Sequence, residues 1–390
     1  MPPALRRLFL MITALCLCGM LVQDASREPA SMVWVPIVPS LGVAYVPSAH
    51  SGPPTSAWAA IVYENTTKTV LYAKNEHTTR APASLTKIMT ALLALENGRM
   101  DDTVTVSRLA AGMWGSSAHL RSGQQIKLRD LLYGMLLPSG NDAAVAVAEH
   151  IGGSLPAFVE MMNLRAVELG ARHTRFANPH GLDHPEHYST AFDLAMLSRV
   201  ALLYPNFADA VQTRTYTASE SSSTWSNTNK LLWSFEGAEG IKTGTTGQAG
   251  NCLAAAASRQ GMQLIVVVLS SANRWKEASR LFTYAFDNYA VITMAEKGVP
   301  LAQVRLKRGS QPLVLTPAHD ICVLVPQQKT DAPLSTHLSL DKVTLPIRAG
   351  SRIGVFEVFA GQTRLAAMPL VAQGDVERLS LWRTIRERLR

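Results

Sequence analysis

The sequence has few cysteines, few charged residues and no long hydrophobic run. Its 390 residues include only four cysteines, too few for a disulfide scaffold of the kind that stabilises small secreted domains. Cys16 and Cys18 lie in an N-terminal apolar segment, which leaves Cys252 and Cys322, and we expect these two to be unpaired, buried thiols. Charged residues make up 17% and hydrophobic residues 47% of the chain. That balance is typical of globular domains with ample core material.

Basic residues exceed acidic ones but do not form a nucleic-acid-binding pattern. The formal net charge is +8, and no run of Lys and Arg is interleaved with aromatic residues, so we expect no nucleic acid partner. Part of the excess lies at the C-terminus, in Arg378, Arg383, Arg386, Arg388 and Arg390. A basic tail beside a nearly neutral body is typical of contact with an anionic membrane surface.

The N-terminus has the pattern of a secretion signal. Arg6 and Arg7 precede an apolar segment over residues 8–22, which is too short for a transmembrane helix. We predict a signal peptide over residues 1–25, although no cleavage motif is clear. Cys16 and Cys18 would also suit a lipoprotein signal, but leucines precede them where a small residue is expected. The signal predicts export across the cytoplasmic membrane.

The remaining chain divides into segments of different texture. Residues 26–56 are rich in Pro, Ser and small residues and predict a linker. Residues 57–290 begin and end with strand patterns and have helical periodicity between them, including a predicted helix from Ser84 to Glu96. This arrangement predicts an α/β (α+β) domain with one sheet covered by helices. Residues 291–373 have short alternating runs, one of them over 342–347, and predict a small all-β sandwich domain.

Residues 374–390 are predicted to form an amphipathic basic helix that anchors the protein to a membrane. On a helical wheel, Leu381, Trp382, Ile385 and Leu389 share a stripe about 100° wide, with arginines on both sides. The segment is too short to span a bilayer, so we expect it to lie in the interface. The alternative is a C-terminal helix packed on the β domain.

Three short motifs occur in an order that indicates serine acyl transfer. They are Ser84-Leu85-Thr86-Lys87, then Ser139-Gly140-Asn141, then Lys242-Thr243-Gly244. Each motif alone is weak, and the chain contains another S-x-N triplet, Ser271-Ala272-Asn273. The order, the spacing and the predicted local structure give the set its weight.

The first two motifs supply the groups that acyl transfer needs. Ser84 and Lys87 lie on one face if a helix begins at Ser84. A serine hydroxyl needs a base, and Lys87 serves only when neutral, a state favoured by burial and by the nearby charge of Lys242. Ser139 is the predicted proton donor to the leaving amine, and Asn141 is predicted to bind the substrate amide and orient Lys87. The alternative is an N-capping serine, a solvent-facing lysine and an ordinary interhelix loop.

The third motif lies in a predicted strand flanked by glycines, over residues 239–247. Glycine in a strand often marks the close approach of another backbone, so a substrate peptide is expected to add along this edge. Lys242 and the hydroxyls of Thr243 and Thr245, around Gly244, are predicted to hold a terminal carboxylate. The backbone N–H groups of Thr245 and Ser84 are predicted to form an oxyanion hole.

The motifs and their flanking residues resemble the serine-type D-alanyl-D-alanine carboxypeptidases, which are low-molecular-mass penicillin-binding proteins. The resemblance rests on residues 81–90, 137–144 and 240–244, and it extends over about residues 58–289, including Trp114-Gly115-Ser116-Ser117 and residues 178–183. It implies the penicillin-binding/β-lactamase-like fold, a C-terminal β-sandwich and often an amphipathic anchor. The family has Gly in the middle of the second motif, as here, where class A β-lactamases have Asp.

The resemblance also implies a reaction and a location. Ser84 would attack the penultimate D-Ala carbonyl of a peptidoglycan stem pentapeptide, terminal D-Ala would leave, and water would hydrolyse the acyl-enzyme at the outer face of a bacterial membrane. β-Lactam antibiotics would acylate Ser84. No cofactor and no metal are implied. Arg274 is in position to assist carboxylate binding.

Four other functions are weighed against this one. A D,D-transpeptidase acting on the same substrate differs only in its acceptor. A class A-like β-lactamase needs a glutamate for deacylation, and none occurs over residues 173–176, where one is expected. A non-catalytic wall-binding protein would have no need of an intact Ser84, Lys87 and Lys242.

The fourth alternative is a zinc peptidase. His180, His184 and His187 form a dense cluster with Asp183 and Glu186. A His-x-x-x-His zinc site requires a helix, and two prolines and a glycine interrupt this segment. We therefore interpret the cluster as a polar loop at the rim of the site.

Overall fold

The computed structural model describes residues 33–34, 52–219, 223–327 and 334–380. The chain divides into two compact units, one over Val46–Ala290 and one formed by Met1–Tyr45 with Val291–Arg390. The predicted signal peptide, with Cys16 and Cys18, lies outside the described residues.

The secondary-structure elements of the described residues are numbered in chain order. The strands are β1 (Val33–Trp34), β2 (Ala59–Glu64), β3 (Thr69–Lys74), β4 (Thr103–Thr105), β5 (Gln125–Lys127), β6 (Thr215–Thr217), β7 (Thr224–Ser226), β8 (Ala238–Thr246), β9 (Gly250–Arg259), β10 (Met262–Leu269), β11 (Tyr289–Ala295), β12 (Ala302–Val304), β13 (Leu313–Pro317), β14 (Ile321–Pro326), β15 (Leu334–Leu340), β16 (Arg352–Ala360) and β17 (Thr363–Ala372). The helices are α1 (Lys87–Asn97), α2 (Arg108–Ala111), α3 (Leu128–Leu136), α4 (Asn141–Gly152), α5 (Leu155–Glu168), α6 (Ala191–Ala201), α7 (Pro205–Gln212), α8 (Leu231–Ser234) and α9 (Arg274–Asn288). A 3-10 turn over Ala83–Thr86 comes directly before α1.

A five-stranded antiparallel sheet forms the centre of the first unit. Its order is β3-β2-β10-β9-β8, which places β8 at one edge. Strand β10 is almost continuously apolar and buried, and α6 and α9 both pack on it. A strand covered on both faces needs apolar side chains on both, which accounts for its unbroken Ile-Val-Val-Val-Leu run. The predicted sheet covered by helices is confirmed.

Helix α1 is buried over its first eight residues, from Lys87 to Ala94. It contacts α4, α5 and α6, so every face of the helix meets protein rather than solvent. The predicted helix start is displaced, because Ser84 belongs to the 3-10 turn and α1 begins at Lys87. This helix carries a lysine into the core, and the consequences of that burial decide the chemistry of the site.

The second unit is all-β, as predicted. It contains a six-stranded sheet of order β1-β15-β16-β17-β13-β12 and a two-stranded sheet of β11 and β14, and β14 packs on β17. Strand β1 lies within the segment predicted to be a linker and pairs with Leu338 and His337 of β15. The run over 342–347 is not a strand. Pro346 in this run has no N–H to donate to a ladder.

The prediction that the C-terminal anchor helix starts at residue 374 is wrong. Residues 374–380 contain no helical turn; instead, Val376 bridges Ile347 and Arg378 bridges Gly309. Val376 and Leu379 are buried, so burial in the β domain overrides the helical pattern here. The predicted helix therefore cannot begin before residue 381, and residues 381–390 lie outside the described residues. Across the described segments, no helix has the length and apolar character needed to cross a membrane.

Candidate active site

Ser84 occupies the 3-10 turn at the N-terminus of α1. A 3-10 turn has three residues per turn, so the side chains of residues i and i+3 lie one above the other. The Nζ atom of Lys87 is 3.1 Å from the Ser84 Oγ atom. Ala83, just before the serine, has a φ of 49°, a conformation that is uncommon for a residue with a side chain. The turn therefore holds the two residues as a hydroxyl–amine pair.

Lys87 is fully buried and is surrounded by neutral acceptors. Its Nζ donates to Asn141 Oδ1 at 2.7 Å and to the carbonyl oxygen of His180 at 2.8 Å. Burial lowers the pKa of Lys87 well below its usual value, and the positive charge of Lys242 lowers it further, while Asp142 opposes the shift. A neutral amine has two N–H groups, which these two carbonyls use, and one lone pair, which remains for the Ser84 hydroxyl. Lys87 is thus arranged as a base.

Asn141 is held in one orientation by the loop over residues 113–120. Its Nδ2 donates to Trp114 O at 2.8 Å, and its backbone nitrogen donates to Ser116 O at 2.7 Å. A Cβ on Gly115 would lie 2.8 Å from Asn141 Nδ2, so the loop passes where a larger residue has no room. With Nδ2 fixed, Oδ1 must face Lys87.

Ser139 lies in the loop before α4, buried and with a φ of 66°. Its Oγ has no hydrogen-bond partner among the described residues, and no hydrogen bond joins it to Ser84, Lys87 or Lys242 there. A buried hydroxyl without a partner is costly. The structure therefore places Ser139 two residues from Asn141 with its hydroxyl unused, and its role in proton transfer stays a prediction.

Strand β8 runs directly against the turn that carries Ser84. A Cβ on Gly244 would lie 2.9 Å from the backbone nitrogen of Ser84 and 3.0 Å from Ala83 Cβ. The close approach expected at this glycine is thus made by the chain's own turn. Because β8 is an edge strand, the K-T-G segment is brought beside Ser84, and no other strand of the described residues pairs with its outer side.

Lys242 and Thr243 are consecutive residues of this strand. Lys242 is buried, and its pKa is lowered to about 7 by burial first and by the charge of Arg274 second. Thr243 Oγ1 is 2.7 Å from Thr228 Oγ1, and Thr228 Oγ1 donates to Leu137 O at 3.2 Å. These hydroxyls connect the K-T-G strand to the loop that carries Ser139. Thr228 does not belong to a recognisable sequence motif, so its place beside the K-T-G strand is seen only in the fold.

Arg274 reaches the end of the K-T-G segment from the first turn of α9. Its Nη1 donates to Gly244 O at 2.7 Å, Thr245 Oγ1 at 2.9 Å and Cys252 O at 3.2 Å. This contact with Thr245 puts a permanent positive charge where a substrate carboxylate is expected. The neighbouring Ser271-Ala272-Asn273 triplet caps this helix, since Asn273 Oδ1 accepts from Lys276 N at 3.1 Å.

The loop over residues 178–183 forms hydrogen bonds with α1 at one end and with β8 at the other. Thr90 Oγ1 donates to Pro179 O at 2.6 Å, in addition to the bond between Lys87 and His180 O. At the other end, Thr246 Oγ1 donates to Asp183 Oδ1 at 2.5 Å. Gly181 has a φ of 91°, and a Cβ there would lie 1.9 Å from Ala83 O. The loop therefore fixes the distance between the base and the strand.

The histidines of this region serve the fold. Ala177 N donates to His187 Nδ1 at 2.9 Å, so the Nε2–H of the neutral ring donates to Thr86 Oγ1, 2.7 Å away. Burial lowers the pKa of His187 to about 4 and that of His180 to about 3. Over the described ranges, no three His, Cys, Asp or Glu side chains converge on a point that could hold a metal ion. The zinc alternative gains no support from this arrangement.

Comparison with known proteins gives consistent matches over both units. The family model described as D-alanyl-D-alanine carboxypeptidase matches residues 47–273, and the model described as the C-terminal domain of penicillin-binding protein 5 matches residues 289–378. D-alanyl-D-alanine carboxypeptidase DacF of Bacillus subtilis is 35% identical over 335 residues, which cover 83% of this chain and 86% of that protein.

Two solved structures show the same fold. Penicillin-binding protein 5 from Haemophilus influenzae is 30% identical, with a TM-score of 0.72, and the match covers 84% of this chain and 100% of that one. A variant of the Streptomyces K15 DD-transpeptidase is 36% identical, with a TM-score of 0.58, and the match covers 60% of this chain and 99% of that one. With the site geometry and the matched family model, these likenesses show that the chain belongs to the D-alanyl-D-alanine carboxypeptidase family.

Proposed function

We propose that this protein removes the terminal D-Ala from peptidoglycan stem peptides through an acyl-enzyme on Ser84. The observation that carries the proposal is the environment of Lys87, which is buried, bonded to two carbonyl oxygens and placed against Ser84 Oγ. An amine in this setting accepts the serine proton as Oγ attacks. Family membership supports the same reaction.

The acylation step uses the groups on the two sides of Ser84. Ser84 Oγ forms a bond to the penultimate D-Ala carbonyl carbon while its proton passes to Lys87. The negative charge on the carbonyl oxygen is stabilised by the backbone N–H groups of Ser84 and Thr245. Collapse breaks the peptide bond, and the leaving amine of D-Ala takes up a proton through Ser139 or Lys87. Water then hydrolyses the ester and returns Ser84 to its hydroxyl form.

The terminal carboxylate is the recognition element of the substrate. Lys242, Thr243 and Thr245 line the edge of β8, with Arg274 bonded to Thr245. Two cations and two hydroxyls at one end of an edge strand suit a peptide that adds to the strand and ends in a carboxylate. The β-lactam antibiotics carry a carboxylate and a reactive carbonyl, so we propose that they acylate Ser84 and inhibit the enzyme.

A D,D-transpeptidase is the second candidate, and the similarity to the Streptomyces K15 DD-transpeptidase favours keeping it. Both reactions share the acyl-enzyme and differ in whether water or an amine takes the acyl group. A class A-like β-lactamase is disfavoured because residues 173–176 hold no carboxylate, and Thr174 there is bonded to Asp193 and Ser189.

Labelling with a fluorescent penicillin, followed by mapping of the acylated peptide, tests the proposal. We expect the label on Ser84 and release of D-Ala from a diacylated peptide ending in D-Ala-D-Ala. Ser84→Ala should abolish both while thermal unfolding stays unchanged. Label on any other residue would overturn the assignment, and absence of D-Ala release by the purified enzyme would overturn the function.

The protein is further proposed to act outside the cytoplasm, on the outer face of the membrane or in the cell wall. The supporting features are the signal pattern over residues 1–25 and a substrate class found there. Residues 381–390 retain the apolar stripe and the arginines of the predicted anchor. We propose that this shorter segment binds the membrane surface.

A further inference from the structure

Asp142 is a buried carboxylate directly after Asn141, and it accepts four hydrogen bonds. Its Oδ1 accepts from Ala118 N at 2.8 Å and from its own neighbour Ala143 N at 2.9 Å. Its Oδ2 accepts from Ser117 Oγ at 2.6 Å and from Leu120 N at 3.1 Å. Three of these donors belong to the loop over residues 113–120. The side chain therefore attaches that loop to the start of α4.

The same loop sets the orientation of Asn141. Trp114 O and Ser116 O accept the side-chain and backbone N–H groups of Asn141. An asparagine amide presents either oxygen or nitrogen to a neighbour, depending on which way it is turned. If the loop moved away, Asn141 Nδ2 would lose its acceptor, and the amide would be free to turn its donor toward Lys87. A donor there would occupy the lone pair of the Lys87 amine, which the Ser84 hydroxyl needs.

Asp142 also acts on Lys87 through its charge. The charged or titratable groups that face Lys87 come from three elements: Lys242 of β8, Asp142 of α4 and His180 of the loop over residues 178–183. His180 is neutral near physiological pH, since its pKa is about 3. Lys242 lowers the pKa of Lys87 and Asp142 raises it, so the two charges act on the amine in opposite directions.

We propose that Asp142 is a positioning residue for the reaction: it fixes the loop that orients Asn141, and its negative charge opposes that of Lys242 at Lys87. The inference rests on the proposed function, in which Lys87 is the base. It assigns Asp142 no contact with substrate. Its two effects, one through hydrogen bonds and one through charge, can be separated by substitution.

Three variants separate these effects. Asp142→Asn removes the charge and turns one acceptor into a donor that faces Ser117 Oγ and Leu120 N. Ser117→Ala removes one bond to the loop and keeps the charge. Asp130→Asn is the matched control: Asp130 is equally buried and accepts from Tyr216 and Ser219, but it does not act on Lys87.

Two readouts are needed, one of them independent of the substrate. The first is kcat/KM for D-Ala release from a peptide ending in D-Ala-D-Ala. The second is the titration of Lys87, followed by NMR of ¹³C-labelled lysine and assigned with a Lys87→Arg variant. If the wild type releases no D-Ala, the proposed function fails, and the titration still measures the effect of Asp142 on Lys87.

For Asp142→Asn we expect a loss of kcat/KM of more than tenfold and a lower titration midpoint for Lys87. For Ser117→Ala we expect a smaller loss of kcat/KM with the midpoint unchanged. Asp130→Asn should lower thermal stability and leave the midpoint unchanged. The proposal is overturned if Asp142→Asn leaves the titration midpoint of Lys87 unchanged. It is also overturned if Asp130→Asn shifts that midpoint as much as Asp142→Asn does. If Asp142→Asn does not fold, the test rests on Ser117→Ala, and the proposal is overturned if kcat/KM of this variant equals that of the wild type.

Discussion

A Cβ atom on Gly181 would lie 1.9 Å from the carbonyl oxygen of Ala83, the residue before Ser84. No side chain fits at that distance, so the loop over residues 178–183 and the turn of the nucleophile are packed backbone against backbone. Because the obstacle is a carbonyl oxygen and not the end of a flexible side chain, the turn itself must move if the glycine is replaced.

The first prediction concerns this contact. Gly181→Ala should displace the 3-10 turn and reduce kcat/KM for D-Ala release by at least tenfold, since small misplacements of reacting groups are costly. Gly170→Ala is the control, because Gly170 also has a positive φ, of 79°, but nothing lies within 4 Å of its Cβ position. The control should lose only about 1 kcal/mol of stability and keep its activity. Equal losses of activity in the two variants would contradict the packing argument.

The second prediction is a bell-shaped dependence of kcat/KM on pH. Activity rises with pH as Lys87 loses its proton, with a midpoint well below the usual lysine value. It falls again near pH 7 because Lys242, whose pKa is about 7, then loses the charge that we propose holds the substrate carboxylate. The pH dependence of kcat/KM reports the ionisations of the free enzyme. D-Ala release should be measured from about pH 5 to about pH 10, so that the transitions of both lysines are covered.

Lys242→Arg provides the matching control. Arginine stays charged at every pH in this range, so the alkaline decline should disappear while the acid limb remains. Lys87→Arg should be nearly inactive at all pH values, since arginine cannot take the serine proton. A profile with no acid limb in the wild type would contradict the assignment of Lys87 as the base.

The third prediction links stability to pH through His187. Its pKa is about 4 in the folded protein, against about 6.5 in an unfolded chain. The unfolded state therefore binds the proton more readily, so the stabilisation is complete above pH 6.5 and is lost as the pH falls toward 4, by up to about 3 kcal/mol. The free energy of unfolding from urea titrations between pH 7 and pH 4 measures this slope. His187→Gln should make the slope shallower, and the remaining slope is expected from His180, whose pKa is about 3. His173→Gln, at an exposed position, should leave the slope unchanged.

The fourth prediction concerns the C-terminal segment. Removal of residues 381–390 should release the mature protein from anionic vesicles and leave D-Ala release from soluble peptide unchanged. Added salt should weaken the binding of the full chain, because each arginine contributes roughly 1 kcal/mol at an anionic surface. Removal of residues 376–390 should in addition destabilise the β domain, since it deletes the buried Val376 and Leu379. Continued vesicle binding after the shorter deletion would exclude the anchor.

The fifth prediction is that water is the main acceptor. The purified protein should release D-Ala from a diacylated D-Ala-D-Ala peptide at the same rate with and without an added amine. A rate that depends on the amine, with a new amide as the product, would identify a transpeptidase.

The motif residues were predictable because their chemistry is local in sequence. A serine three residues before a lysine, a polar turn between two apolar helices and a glycine-flanked strand each have a recognisable pattern, and the fold brings Ser84, Lys87, Asn141 and Lys242 together. The sheet and most helices follow from apolar periodicity in the same way, although the helix predicted from Ser84 begins three residues later, at Lys87.

Contacts between distant segments were not predictable. Thr228 and Asp183 act only through hydrogen bonds to residues that the chain path brings near them. Residues 374–380 have a polar, helix-compatible pattern, but burial of two apolar side chains in the β domain decides their conformation. Residues 342–347 have an alternating pattern but do not form a strand, because they contain a proline that has no N–H to donate to a neighbouring strand.

The hydroxyl chain between the two halves of the site can run in two directions, because either threonine can donate to the other. When Thr228 Oγ1 donates to Leu137 O, its oxygen receives the hydrogen of Thr243. In this state Thr243 offers only lone pairs to the groove and repels a carboxylate. To bind the terminal carboxylate, Thr243 must turn its hydrogen outward, and Thr228 must then reverse and donate to Thr243. Leu137 O then keeps only the backbone N–H of Thr228, so in the proposed reaction the arrival of the substrate would be relayed as a reversal of hydroxyl direction to the loop that carries Ser139.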